Sequence, residues 1–151
     1  MEKPYVELYT DGACSPNPGL GGWGAILVSP AHGKELALSG SERNTTNNRM
    51  ELKAVIKGLE ALKKPSRVRV TTDSQYVHNA FEKGWLKKWQ KNGWRTADKK
   101  PVQNEDLWRE LLELAKTHDL EWEWVRGHAE HVFNNRADEL AVAARLKLAS
   151  G

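Results

Sequence analysis

The sequence predicts an α/β fold: a mixed five-stranded sheet, three antiparallel strands plus two parallel ones, flanked by helices. Three observations carry that expectation. Residues 4 to 41 hold three extended, β-branched and aromatic runs separated by short turns, which implies an antiparallel meander. The apolar period then becomes helical at Leu52, Val55, Ile56, Leu59 and Leu62 before a further β-branched run, the pattern of a crossover helix between parallel strands. Beyond Asp73 the chain is mostly helical, with one more alternating stretch at Leu120, Trp122 and Trp124. The predicted order is βββαβαααβα.

Each element follows from its local chemistry. Residues 4 to 11 read as a strand running into Gly12, and Ser15-Pro16-Asn17-Pro18-Gly19 is a turn. Gly22 to Ser29 is the second strand and Glu35 to Ser41 the third. Gly19-Leu20-Gly21-Gly22-Trp23-Gly24 matches G-x-G-x-x-G, but a dinucleotide fingerprint must follow a strand and open a helix, whereas Ala25-Ile26-Leu27-Val28 continues as strand. A helix is expected from about Asn48, with Asn48-Arg49-Met50-Glu51 as a capping box and Lys63-Lys64-Pro65-Ser66 as its end. Arg67 to Thr72 is the fourth strand and enters Asp73. A short helix to Gly84, a basic helical stretch broken at Asn92-Gly93, and a helix capped by Asn104 come next, then the strand at 120–124 and a final amphipathic helix on Ala137, Leu140, Ala141, Ala144 and Leu148.

At 151 residues, with 39% hydrophobic and 28% charged residues, the chain has the composition of one globular domain spanning 1–151 rather than of a disordered segment. The N-terminus lacks an apolar leader region, and the longest apolar run, Trp23 to Val28, is too short to span a bilayer. A cytoplasmic protein with no membrane association is the expectation. Cys14 is the only cysteine, so an internal disulfide and a multi-thiolate zinc site are both excluded.

The net charge of +3 conceals an asymmetry. Between Lys83 and Lys100 seven basic residues face Asp98 alone, a local charge of +6 that leaves −3 for the remainder. Trp85, Trp89 and Trp94 are interleaved with Lys87, Lys88, Lys91 and Arg95 in the same segment. Cations alternating with stackable rings suit a polyanion that also offers flat surfaces, which makes 83–100 a basic helical protrusion for nucleic acid.

Four acids fall at comparable places. Asp11 ends the first strand, Asp73 ends the fourth, Glu51 lies in the first turn of the first long helix, and Asp138 lies early in the last helix. Ligands in α/β sheets gather beyond the carboxyl ends of the parallel strands. Each acid also has a local explanation: Asp73-Ser74 as a cap, Glu51 in its box, Asp138 answering a helix dipole. Helical geometry distinguishes Glu51, which sits roughly 75° from the centre of its helix's apolar arc, at the edge of the buried face. Carboxylates brought together without thiolates need cations, and hard oxygen ligands select Mg²⁺ or Mn²⁺. Two ions roughly 4 Å apart suit hydrolysis of a phosphodiester. His128, after Gly127 on the side where the acids collect, would move a proton near neutrality, whereas His131 reads as a solvated loop residue.

Together these segments resemble ribonuclease H type 1, close to the bacterial enzymes. Four motifs carry the resemblance: Tyr9-Thr10-Asp11-Gly12-Ala13-Cys14, Thr45 to Leu52, Thr72-Asp73-Ser74-Gln75-Tyr76-Val77, and Gly127-His128-Ala129 with Arg136 to Ala141. The resemblance implies cleavage of the RNA strand of RNA/DNA hybrids to 5′-phosphate and 3′-hydroxyl ends; a monomer that requires no protein partner is the simple expectation. It implies Asp11, Glu51, Asp73 and Asp138 as ligands of two Mg²⁺ ions, with Mn²⁺ as a substitute, and His128 as a mobile proton shuttle or product-release aid. Cys14, Asn17, Asn47, Asn48 and Gln75 match residues lining the hybrid's minor groove. Thr46 and Asn104 match a phosphate pocket, and Trp85 would face the DNA strand beside Lys87, Lys88 and Trp89. Gly12 would leave the backbone open where a sugar approaches. The loop His131-Val132-Phe133-Asn134-Asn135 departs from bacterial relatives, which often carry a proline after the second histidine. Two other classes share these features: a non-catalytic hybrid-binding module, and a DNA-acting nuclease or transposase of the same fold.

Overall fold

The computed structural model describes residues 3–96, 98–125 and 132–150. Its elements are β1 (Tyr5–Cys14), β2 (Gly19–Ser29), β3 (Lys34–Thr45), α1 (Asn47–Glu60), β4 (Arg67–Thr72), α2 (Gln75–Glu82), α3 (Trp85–Asn92), α4 (Glu105–Thr117), β5 (Asp119–Trp124) and α5 (Val132–Ser150). The strands form one sheet in the order β3-β2-β1-β4-β5. The first three are antiparallel, while β4 is parallel to both β1 and β5. The predicted order and the mixed sheet are therefore the observed ones. No helix among the described residues is long and apolar enough to cross a membrane.

The sheet is covered on both faces. Alternate residues of β1 point opposite ways, so Val6 and Leu8 join the large core built on α1 with Met50, Leu52, Val55, Ile56 and Leu59. Tyr9 lies on the other face, where with Ile26 and Ala137 it forms a smaller core under α5. Trp108 of α4 is fully buried and ties α2 and α3 to the large core through the rings of Tyr76, Phe81 and Trp89.

Three local expectations are corrected. Helix α1 starts earlier than expected because the Thr46 hydroxyl, in extended backbone, accepts the Arg49 N–H at 3.2 Å and takes the cap. The Asn48–Glu51 box does not form, and Glu51 falls past the first turn. Asn104 occupies the position before α4, but its φ of 62° is left-handed and its side chain makes no cap bond. Its amide is engaged elsewhere, as described below. Strand β1 does not end at Asp11. It runs to Cys14 because Asp11, Gly12, Ala13 and Cys14 still pair with Gly24, Trp23, Gly22 and Gly21 of β2.

That extension opens the sheet at a defined point. The parallel register of β1 with β4 stops at Tyr9 and Thr71, so Asp11 sits just beyond the place where the two strands part. The G-x-G-x-x-G stretch is strand, as expected, and its glycines serve packing: a Cβ on Gly22 or Gly24 would lie 2.2 Å from Ala141 O or 2.3 Å from Ala137 O of α5.

Candidate active site

Three carboxylates converge where β1 and β4 separate. Asp11, Glu51 and Asp73 each place a carboxylate oxygen within 4.8 Å of the other two. Asp11 comes from the strand beyond its parallel register, Asp73 from the residue after β4, and Glu51 from the face of α1 that meets the sheet. Asp138, on α5, lies near enough to the Asp11 carboxyl to raise its proton affinity. The four acids picked out by position in the sequence are thus gathered at one end of the sheet.

Gly12 explains the approach of Glu51. A Cβ at Gly12 would lie 2.6 Å from the Glu51 backbone nitrogen and 2.7 Å from the Met50 carbonyl carbon. The space left by the missing side chain is filled by α1, so the expected opening for a substrate sugar on that side of Gly12 is corrected. The Gly12 N–H donates to Asp11 Oδ1 at 2.9 Å and also supports the Glu51 carboxyl.

Glu51 is only 5% exposed and Asp11 only 3%, deeper than the edge position expected for Glu51. Burial, and next the neighbouring Asp73 charge, push the Asp11 carboxyl up to about 8. Burial likewise holds the Glu51 carboxyl well above the usual carboxylate range, with Asp11 and Asp73 adding to it. The oxygen Oε2 of Glu51 is buried without a hydrogen-bond partner among the described residues. An uncompensated acceptor amid like charges is the donor set of a hard divalent cation, and oxygen ligands of this kind fit such an ion.

Further contacts stiffen the site. The Ser74 hydroxyl caps α2 by accepting the Val77 N–H at 3.2 Å, so capping is assigned to Ser74 and the Asp73 side chain is left to the cluster. The Trp124 indole N–H donates to the Asp73 carbonyl at 3.1 Å. Trp124 was missed as a contributor to the site, although the parallel pairing of Thr72 with Trp124 would have placed it there.

The other expected residues divide among separate surfaces. Asn17, Thr46, Asn47, Asn48 and Asn104 line one cleft of about 530 Å³, together with Gln103, which sequence reasoning did not single out. Asn17 is held there by the Asn47 N–H, which donates to its Oδ1 at 3.1 Å. The Cys14 thiol lies on the Pro16 and Thr45 carbonyls, at 3.2 and 3.5 Å, and Gln75 is exposed at the start of α2. Trp85, Lys88 and Trp89 line a cleft of about 320 Å³ on the protrusion with Asn92, Arg95 and Thr96. Lys87 is exposed on the same helix. Trp89 is also packed against Trp85, Trp94 and Trp108 at centroid distances of 6.2, 6.1 and 5.7 Å, so it anchors α3 as well as lining the cleft. His128 and His131 lie outside the described residues.

Comparison with known proteins agrees with this geometry. The RNase H family profile matches residues 3–145. A ribonuclease H of Thermoanaerobacter sp. (strain X514) is 60% identical over 136 residues, covering 90% of this chain and 86% of that protein. That of Bradyrhizobium diazoefficiens is 57% identical over 150 residues, covering 97% and 96%. Among solved structures, LC9-RNase H1, a type 1 RNase H with the type 2 active-site motif, superposes with a TM-score of 0.85 at 33% identity over 97% of this chain and 74% of that one. LC11-RNase H1, solved with an RNA/DNA hybrid, shares the fold at a TM-score of 0.72 and 24% identity, over 95% and 98% of the two chains. By profile, identity and coverage alike, the chain belongs to the RNase H family.

Proposed function

We propose that this protein is an endoribonuclease that hydrolyses the RNA strand of RNA/DNA hybrids with divalent metal ions, leaving 5′-phosphate and 3′-hydroxyl ends. The observation that carries the reading is the buried triad: three carboxylates within 4.8 Å, one with an unpartnered buried oxygen, in a family of hybrid nucleases. Asp11, Glu51, Asp73 and Asp138 would hold the ions, with Mg²⁺ the fitting choice and Mn²⁺ a substitute. Bound there, divalent ions supply activation of a water and stabilisation of the leaving oxygen of the phosphodiester.

The chain's own groups prepare the reaction. Raised proton affinity at Asp11 and Glu51 means that these acids exchange protons for cations, which makes occupancy pH-dependent. Burial and the Gly12 N–H fix their orientation before substrate arrives. His128, in the segment leading into α5, moves the proton between water and product. The cleft at Asn17, Thr46, Asn47, Asn48 and Asn104 offers neutral donors and acceptors to the minor groove and to a phosphate, which suits reading of 2′-hydroxyls. Trp85 and its basic neighbours track the DNA strand and supply affinity without sequence preference.

The test is incubation with labelled RNA/DNA hybrid, double-stranded DNA and double-stranded RNA, each with Mg²⁺ or with chelator. Mg²⁺-dependent cutting of the RNA strand of the hybrid is the expected result. Tight hybrid binding without cutting would identify a binding module instead, and preferential cutting of DNA would identify a DNA nuclease of this fold.

A further inference from the structure

The amide of Asn104 is held by partners that leave it no choice of orientation. Arg49 donates from Nη1 to Asn104 Oδ1 at 3.3 Å, and its guanidinium is itself fixed by a two-pronged pair with Asp106 at 2.9 and 2.8 Å. A guanidinium only donates, so the atom that faces it must be the amide oxygen. On the other side Asn104 Nδ2 donates to the Tyr76 hydroxyl oxygen at 3.1 Å, and the Trp108 indole N–H donates to the same oxygen at 2.9 Å. Both lone pairs of the Tyr76 oxygen are then occupied by donors. Arg49 on α1 therefore dictates the amide orientation, the Tyr76 oxygen on α2 holds the Nδ2 end that this orientation turns toward it, and the left-handed backbone at Asn104, φ 62°, carries the side chain between them.

One consequence is chemical selectivity. With Oδ1 turned to the Arg49 guanidinium and one Nδ2 hydrogen given to Tyr76, Asn104 keeps its second Nδ2 hydrogen as a donor for the cleft it lines with Thr46 and Asn48. A free amide would present either end; this one keeps its oxygen on a cation and has a donor to spare, which suits an anionic oxygen. We propose that Arg49 and Tyr76 are positioning residues, Arg49 setting the orientation of the Asn104 amide and Tyr76 holding its Nδ2 end, so that the amide is kept as a donor toward a backbone phosphate of the nucleic-acid substrate. The proposal rests on the reading of this cleft as a phosphate site. Tyr76 touches no substrate in this account; its ring packs on Trp108 with centroids 5.4 Å apart, and its oxygen acts through Asn104.

The experiment compares wild type with Y76F, N104D and the double variant in steady-state cleavage of a labelled RNA/DNA hybrid with Mg²⁺. Y76F keeps the packed ring and removes the oxygen. KM should rise roughly three- to tenfold, the effect of one hydrogen bond, with kcat at saturation within about twofold of wild type. N104D keeps the Arg49 pairing, tolerates the left-handed backbone and turns the presented donor into a negative acceptor, so KM should rise further. In the N104D background Y76F should add less than about twofold, because the amide it positions is gone. An unchanged KM in N104D would sink the phosphate reading of the cleft. A raised KM in N104D with an unchanged KM in Y76F would sink the positioning role alone, and so would an undiminished Y76F effect in the double variant. Should Y76F prove unfolded at assay temperature, R49K, which keeps the charge but loses the fork, gives the same reading: a KM-only loss supports the lock, and an unchanged KM overturns it.

Discussion

Asp11 stands directly opposite Gly24 in the antiparallel ladder of β1 and β2. Because Gly24 has no side chain, the Ala137 carbonyl of α5 comes within 2.3 Å of where a Cβ would be, and the next residue on that helix is Asp138. The register of two strands and the absence of one methyl group thus decide whether the fourth acid reaches the first. On the opposite side Gly12 does the same for Glu51 of α1. A pair of glycines lets two helices close on one aspartate.

Substitution of Gly24 by valine should therefore act on stability and on catalysis together. A side chain whose Cβ would lie 2.3 Å from a backbone oxygen forces α5 outward, a cost of about 1–3 kcal/mol or more, and draws Asp138 away from Asp11. Urea melts and hybrid cleavage check both halves. A variant that loses stability while keeping full kcat would show that the Asp138 position does not depend on this contact.

Asp11→Asn should abolish turnover yet stabilise the metal-free protein at alkaline pH. In the folded protein the Asp11 carboxyl is pushed up to about 8 from an ordinary 3.8, by burial first and by Asp73 second. Between those values the folded state binds more protons than the unfolded one, so stability falls as pH rises through that window. Removing the titrating group removes the loss. In chelator at pH about 8 the variant should gain at least about 1.4 kcal/mol, the equivalent of a tenfold change in proton affinity. Equal stability of the two proteins there would contradict the buried-acid description.

His118 should give stability the opposite pH slope. Its Nδ1 accepts the Ser66 N–H at 3.0 Å, which only the unprotonated ring atom can do, and burial, aided by Lys3, holds its pKa below the ordinary 6.5. Its contribution is complete above the unfolded value of about 6.5 and is lost as pH falls through it toward the lower folded value. His118→Asn keeps an acceptor without the titration, and should flatten the dependence of the urea midpoint between pH about 5 and about 7. A wild-type slope that survives in the variant would assign the effect to another group.

Charge reversal at Lys87 and Lys88 should weaken hybrid binding and flatten its salt dependence. Both side chains are exposed on α3 beside the Trp85 and Trp89 cleft. If each neutralises one phosphate, the slope of log K against log salt should flatten by up to about 2. Binding measured across a salt series reads this directly, and an unaltered slope would place the nucleic acid elsewhere.

Much of this was legible in the chain itself. Extended β-branched and aromatic runs in residues 4 to 41, period 3.6 from Leu52 to Leu62, and alternation from Arg67 to Thr72 determined the element order and the mixed sheet, because strand propensity and helical spacing are local properties of the chain. The basic, tryptophan-bearing segment and the four acids were visible for the same reason: their chemistry is unusual wherever they lie. Boundaries were less legible. Thr46 rather than Asn48 caps α1, since two neighbouring polar residues offer similar caps and only the backbone path chooses between them.

Only the tertiary structure decided distances and partners. That Asp11, Glu51 and Asp73 lie within 4.8 Å, that Gly12 and Gly24 are spaces filled by helices, and that Asn104 is gripped by Arg49 and Tyr76 all depend on contacts between residues far apart in the chain. Local propensity carries no information about such pairs. The sequence by itself determined which groups were available and which elements carried them; the packing of α1 and α5 onto one end of β1 determined which of those groups meet.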